Sequence, residues 1–332
     1  MKKVLLIGGA GYIGTVVTGH LLNIGWSVRS LDLFLYQNNQ CVLPYLGTTG
    51  YESMYGDFCN PNTLQTALTD VTDVVLLAGL VGDPITKKYP DAARAINETG
   101  VCNCIDLLNG YGLDRLVFVS TCSNYGLIEG DRLADETFEL KPLSLYASAK
   151  VAAEQHILGL EGSTDYAPTI LRFATAFGLS PRMRFDLTVN EFTLELSQGK
   201  QLVVFDAHTW RPYCHVQDFA RLIGKVLAAP IEKVAFQVFN AGDQANNLTK
   251  HEIVNILRSH LPHSNVILQE HGPDPRNYRV DFRKVREVLG FEAKYTVADG
   301  ILELLHAVEQ HVFENVQQGR NLHGNYSINY PV

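Results

Sequence analysis

Tyr146 and Lys150 stand four residues apart in L-Y-A-S-A-K, at the head of a stretch that reads as a helix over 145–160. In a helix this spacing sets both side chains on one face, a turn apart. An ammonium beside a phenol favours phenolate and brings its pKa from about 10 towards neutrality. Such a base can take the proton of an alcohol. The chain holds 15 Tyr but only this one Y-x-x-x-K. Because chance alone can supply one, its weight comes from its setting.

That setting includes a strand's end. Leu116-Val117-Phe118-Val119 is a β-type run that stops in Ser120-Thr121-Cys122-Ser123, twenty-five residues before Tyr146 at the Thr. Strands favour branched and aromatic side chains, so hydroxyls at a carboxyl end suit a rim that faces a ligand. Thr121 can position one C–O bond while Tyr146 moves its proton. Cys122 has no neighbouring His or Lys to draw it to thiolate, and reads as packing rather than nucleophile or acid. Asn124 and Tyr125 read as loop structure.

A nucleotide site is written at the other end of the chain. The apolar run 4–7 predicts a strand buried on both faces, and leads into Gly8-Gly9-Ala10-Gly11-Tyr12-Ile13-Gly14. Ile13, Val16, Val17, Leu21 and Ile24 follow at helical spacing, Gly25 supplies a left-handed stop, and 26–31 is the next strand. Parsed from Gly8 or from Gly9, the glycines let the chain turn tightly, lie against a pyrophosphate and aim helix N–H groups at it. Asp32, eighteen residues past Gly14, stands where a carboxylate meets the adenosine ribose and repels a 2′-phosphate. NAD is favoured over NADP.

The elements that must position these groups alternate. Strands at 71–80, 115–120 and 169–173, with helices at 90–108 and 145–160, predict an α/β fold with a doubly wound parallel sheet. Ligands of such sheets bind beyond the strands' carboxyl ends, where 8–14, 78–84 and 121–125 converge. After Phe173 the pattern loosens into loops at 180–186, 206–212 and 274–279, with a strand at 234–240 returning to the sheet.

Composition narrows the partners. The chain is 46% hydrophobic and 19% charged, with net charge −8 from 27 basic and 35 acidic residues and no basic tract. This argues against nucleic acid or an anionic membrane as the main partner. It leaves room for a phosphorylated small molecule, which needs only one or two Arg. The six Cys (41, 59, 102, 104, 122, 214) form no CxxC and no zinc-site spacing, so no metal is expected and reduced thiols are the default. The stretch from Val4 to Val28 has no Asp, Glu, Lys or Arg after Lys2-Lys3, as a signal peptide or anchor would. Six glycines, His20 and Asn23 interrupt it, and no small-residue cleavage site follows. It reads as strand, turn and buried helix in a cytoplasmic protein.

Taken in order, G-G-A-G-Y-I-G (8–14), S-T-C-S-N-Y-G (120–126) and Y-A-S-A-K (146–150) resemble the extended short-chain dehydrogenase/reductase family, the nucleotide-sugar epimerases and dehydratases. L-R-F-A-T-A-F-G (171–178), W-R-P-Y-C-H-V-Q-D-F-A (210–220) and F-N-A-G-D (239–243) carry the likeness nearly end to end. V-G-D-P (81–84) with S-P-R-M-R-F-D (180–186) resembles a narrower branch that includes sugar-nucleotide 4-dehydrogenases acting on GDP-heptoses. The resemblance implies a Rossmann NAD-binding domain over 1–178 with a return segment about 211–243. A smaller, discontinuous substrate lobe would occupy 179–210 and 244–332. It implies that bound NAD accepts hydride from a sugar carbon, usually C4. Tyr146 would take the hydroxyl proton, Lys150 also hold the nicotinamide ribose, and Thr121 hydrogen-bond the reacting oxygen. Gly8, Gly11, Tyr12, Ile13, Gly14, Asp32 and Ala78 would line the cofactor, with Asp57 and Phe58 near adenine. Family 4,6-dehydratases carry Asp-Glu after this Thr, and Cys122-Ser123 here disfavour dehydration.

Arg is the residue that grips a diphosphate in a fork. By the same resemblance Arg211 and Arg276 are placed at the pyrophosphate, and Arg182, Arg184 and Asn190 beside the nucleotide. Asp83 either bonds a sugar hydroxyl or caps the following turn. His208 and His215 read as ordinary side chains. The expected activity is epimerisation at C4 of a nucleotide-linked hexose or heptose. Alternatives are a net 4-dehydrogenase or 4-keto-reductase, an enzyme of non-sugar alcohols or steroids, and a non-catalytic dinucleotide sensor; such sensors typically lose the Tyr or Lys kept here. Family members dimerise through helices like 90–108 and 145–160, which implies a homodimer.

Overall fold

The computed structural model describes residues 2–314, 316 and 318–331. Seven strands make one sheet: β1 (Lys3–Ile7), β2 (Ser27–Asp32), β3 (Tyr51–Tyr55), β4 (Asp73–Leu76), β5 (Arg115–Thr121), β6 (Ala167–Phe173) and β7 (Gln237–Ala241). They lie in the order β3-β2-β1-β4-β5-β6-β7, and every neighbouring pair is parallel. The chain leaves β1 towards β2 and returns to β4 on β1's other side, so the winding reverses between β1 and β4. A crevice opens at such a reversal.

Strand alternation builds a core on each face. Val4, Leu6, Val75 and Val117 pack with the helices Tyr12–Asn23 and Val216–Ala228, through Val17, Leu21, Phe219 and Ile223. Leu5, Ile7, Val74 and Phe118 pack on the opposite side with Leu64, Ile105 and Ile157, from the helices Pro61–Ala67, Val101–Leu107 and Leu145–Gly159. Because both faces are covered, the strand segments 4–7, 74–76 and 116–119 read as unbroken apolar runs. A third core, with Phe177, Phe192, Tyr213, Leu257 and Ile301, holds the helices Thr188–Ser197, Lys250–His260 and Val297–Glu309 together. Strands Thr175–Phe177, Trp210–His215 and Asn247–Thr249 form a small sheet beside it.

Three elements differ from their sequence expectation. β4 covers only Asp73–Leu76 of 71–80, because Gly79 and Gly82 adopt positive φ and open a loop. The helix expected over 90–108 is interrupted by a π-helical segment, Arg94–Gly100, between Pro90–Ala93 and Val101–Leu107. Its Asn97 side chain accepts from Leu80 N at 2.8 Å and donates to Leu80 O at 2.9 Å, pinning the loop after β4. The return strand starts at Gln237, since Ile231–Val234 is a helical turn. Among the described residues no helix is long and apolar enough to cross a membrane.

Candidate active site

Beyond the carboxyl ends of β1, β2, β4 and β5 lies a cleft of about 960 Å³. The glycine turn forms one wall. Gly8 has φ +91°, and a Cβ there would stand 2.8 Å from Ala78 N. A Cβ on Gly14 would run into the Gly8 carbonyl oxygen. Both positions therefore require glycine, and the turn brings the amino end of Tyr12–Asn23 to the cleft. Asp32 braces it: Oδ2 accepts from Ala10 N at 3.0 Å and Oδ1 from Phe34 N at 2.8 Å. Burial raises the Asp32 pKa above the usual carboxylate value, and these amides oppose the rise. Ile13, Asp57, Phe58 and Ala78 line the same cleft. A side-chain-free cradle, helix N–H groups and a carboxylate at the end of β2 fit a dinucleotide.

Thr121 and Tyr146 line this cleft too. Thr121 ends β5, and its Oγ1 accepts from Ser123 N at 3.1 Å, starting the short helix Cys122–Tyr125. The Tyr146 helix is begun by Ser144, whose Oγ accepts from Ala147 N at 3.2 Å. Tyr146 falls in its first turn. Lys150 lies one turn on, buried beneath the cleft, with Nζ donating to Val119 O at 2.7 Å and 4.5 Å from the Phe118 ring centroid. Burial lowers its pKa to about 8, against the opposing charge of Glu154.

The expected lowering of the Tyr146 pKa is not seen. Burial pushes the phenol well up, and the charges acting on it are those of Arg184, Asp83, Tyr278 and Arg276. The reason is geometric: the Lys150 ammonium is spent on the β5 backbone. Glu154 anchors the layer below. It accepts from Ser120 Oγ, from Asn124 Nδ2 at 2.8 Å, and from Arg172 Nε and Nη2 at 2.9 and 2.7 Å. This network, absent from the sequence reading, fixes the strand end that carries Thr121.

Cys122 points the other way, into the core. Its Sγ donates to Arg172 O at 3.0 Å, and burial raises the thiol pKa. Ser123 faces the cleft with Oγ 3.3 Å from Tyr278 Oη and 3.4 Å from Arg276 Nη1. Arg276 is gripped by both oxygens of Asp274, each at 2.8 Å, and pairs with Asp83 Oδ2 at 2.9 Å. Arg211 Nη2 lies 3.1 Å from the same Asp274 carboxylate. Arg211 and Arg276 thus meet at one carboxylate in the wall of the cleft. Asp83 does not cap the turn; the cap is Gly82, and the Asp83 Oδ1 is buried without a partner.

The remaining three expectations divide. Arg184 holds Asp186 in a bidentate pair, at 2.8 and 2.6 Å, close to Tyr146. Arg182 turns to the cofactor end instead, its guanidinium 4.9 Å from the Tyr36 ring centroid and its charge felt by Asp32. Asn190 does not reach the cleft. It is fully buried, accepting from Gly178 N at 3.0 Å and donating to Tyr12 Oη and Arg184 O. An asparagine beside two arginines in sequence looks like a ligand contact; its place in a helix facing the core makes it a brace. His215 Nε2 meets Glu303 at 2.8 Å and Nδ1 accepts from Gln217 N, so it starts the helix Val216–Ala228. Among the described residues no group of three His, Cys, Asp or Glu could hold a metal ion.

A doubly wound sheet whose glycine turn, Thr121 and Tyr146 share one cleft defines an NAD-linked oxidoreductase class. The family model of the NAD dependent epimerase/dehydratase family matches residues 4–242, and the chain belongs to that family. It is an enzyme of the extended short-chain dehydrogenase/reductase type, with NAD as cofactor. Curated relatives include dTDP-glucose 4,6-dehydratase of Streptomyces niveus, 26% identical over 91% of both chains. UDP-glucuronate 4-epimerase of Thermodesulfobacterium geofontis is 25% identical over 91% of this chain and 94% of its own. Among solved structures, DesIV (dTDP-glucose 4,6-dehydratase) from Streptomyces venezuelae with NAD and TYD bound superposes with a TM-score of 0.84 at 22% identity, covering 96% of this chain and 99% of its own. MoeE5 in complex with UDP-glucuronic acid and NAD gives 0.80 at 23%, covering 93% and 99%.

Proposed function

We propose that the protein oxidises C4 of a nucleotide-linked hexose or heptose and returns the hydride to the opposite face, a 4-epimerisation. The observation that supports this most is the placement of Thr121 and Tyr146 in one cleft with the glycine turn, while Arg211 and Arg276 meet at the Asp274 carboxylate in the wall of the same cleft. The chemistry NAD supplies when bound is hydride acceptance. Gly8, Gly11, Gly14 and the amino end of the first helix would hold its pyrophosphate, and Asp32 its adenosine ribose. Thr121 orients the C4 hydroxyl and Tyr146 takes its proton. Lys150 holds β5 and the helix in register through its bond to Val119 O. Arg211 and Arg276 clamp the diphosphate, which sets the sugar's distance from Tyr146. Asp83, in the cleft wall beside Arg276, accepts from a sugar hydroxyl.

The second reading is a net 4-dehydrogenase or 4-keto-reductase. It is favoured over dehydration because a buried thiol and Ser123 stand where an acid and a base would be needed. The proposal includes a cytoplasmic homodimer formed through the helical stretches 90–107 and 145–159, on the family likeness. Incubation with UDP-, GDP-, dTDP- and CDP-sugars followed by mass spectrometry tests it. A product of unchanged mass supports epimerase, loss of two hydrogens supports the second reading, and loss of water contradicts both.

A further inference from the structure

The segment after the helix Val297–Glu309 does not stay on the lobe that carries that helix. It crosses the cleft, and its polar groups bond to both sides. On one side His323 O accepts from Phe185 N at 2.8 Å, and Gly324 O and Asn325 Oδ1 accept from Arg182 Nη2 at 3.0 and 2.8 Å. On the other, Asn325 Nδ2 donates to Val81 O at 2.8 Å, in the loop after β4, and Tyr326 O accepts from Lys88 Nζ at 3.0 Å. Farther along, Tyr330 Oη donates to Asp57 Oδ2 at 2.9 Å. Ile328 and Tyr330 pack against the core that contains Phe58 and Leu80. Asn325 and Tyr330 are themselves walls of the cleft.

Asp57 is the carboxylate beyond β3, and its other oxygen accepts from Cys59 N at 2.8 Å. Two donors hold it in one orientation, leaving lone pairs free for a further donor. An exocyclic purine amine is such a donor. The Tyr330 hydroxyl stays protonated and donating, since burial and Asp57 both raise its pKa.

We propose that residues 321–331 are a strap roofing the NAD groove, and that Tyr330 is a positioning residue that aims Asp57 at the adenine. Release of the cofactor then requires the strap to detach from Val81, Lys88 and Asp57. That makes NAD a resident group, as a reaction that returns its hydride each cycle needs.

The test is binding, measured on the full chain. NADH affinity and release are followed by nicotinamide fluorescence in wild type, Tyr330→Phe and Asn325→Ala, with ADP-ribose as competitor and UDP affinity measured separately. Tyr330→Phe keeps the ring and loses one hydrogen bond to a charged acceptor, so NADH and ADP-ribose should bind about tenfold more weakly. UDP affinity should stay at the wild-type value. Asn325→Ala should speed NADH release. NADH affinity and release within twofold of wild type in both variants would overturn the strap, as would an equal loss of UDP affinity. Failure of the wild type to bind NADH would instead contradict the cofactor assignment.

Discussion

Glu154→Gln offers a sharp test of how the reacting end of β5 is held. Glu154 and Arg172 are 1% and 5% exposed, and the carboxylate takes donors from Ser120, Asn124 and twice from Arg172. Gln has the same volume, so no cavity term enters. What changes is charge: the Arg172 guanidinium is left buried without a counter-ion, and one amide N–H₂ is turned on a donor. Breaking such a pair costs about 3–5 kcal/mol. Removing both partners should cost far less, so Glu154→Gln/Arg172→Met should recover most of the loss. Denaturant unfolding of the free protein reads this as a lower midpoint at unchanged slope. A loss below about 1 kcal/mol for the single variant, with no recovery in the double, would refute the claim that an ionised pair supports the site.

Burial lowers the Lys150 pKa to about 8, from the ordinary lysine value of 10.5. Between those values the unfolded chain binds more protons, so this group makes stability rise with pH, by up to about 3 kcal/mol. The wild type minus Lys150→Met difference in unfolding free energy should show that rise, and a flat difference from pH 7 to 10 would contradict the burial. Cys122 should resist alkylation in the native state, and Cys122→Ala should leave the product's mass unchanged; a dehydrated product from either protein would count against its inert role. Gly14→Ala should abolish NADH binding in a fluorescence titration, because its Cβ meets backbone that cannot step aside. Wild-type affinity in that variant would contradict the turn geometry.

Much of this architecture was legible because local pattern and global fold agree. Runs such as 4–7 and 116–119 are apolar on both sides of the pleat, and only a sheet covered on both faces accepts that. The glycine turn, Asp32 and the Tyr146 spacing are likewise local. What escaped is long-range. The π-helical segment exists around Asn97, whose partner Leu80 is seventeen residues away. Asn190 and Arg182 share a sequence neighbourhood with Arg184, yet one faces the core and the other Tyr36. Spacing put Lys150 beside Tyr146, but the Val119 carbonyl decides where its ammonium goes. Tyr330 comes to Asp57 across 273 positions, and no periodicity carries that signal.

On the proposed function, Tyr146 moves the proton of the carbinol whose hydride goes to NAD. Its most direct test compares wild type with Tyr146→Phe, both loaded with NAD, on mixing with nucleotide sugars, and follows the near-ultraviolet band of reduced nicotinamide. The band, or product, should appear from wild type with at least one sugar, and neither from Tyr146→Phe although it still retains NAD. Product formed by Tyr146→Phe at the wild-type rate would contradict it.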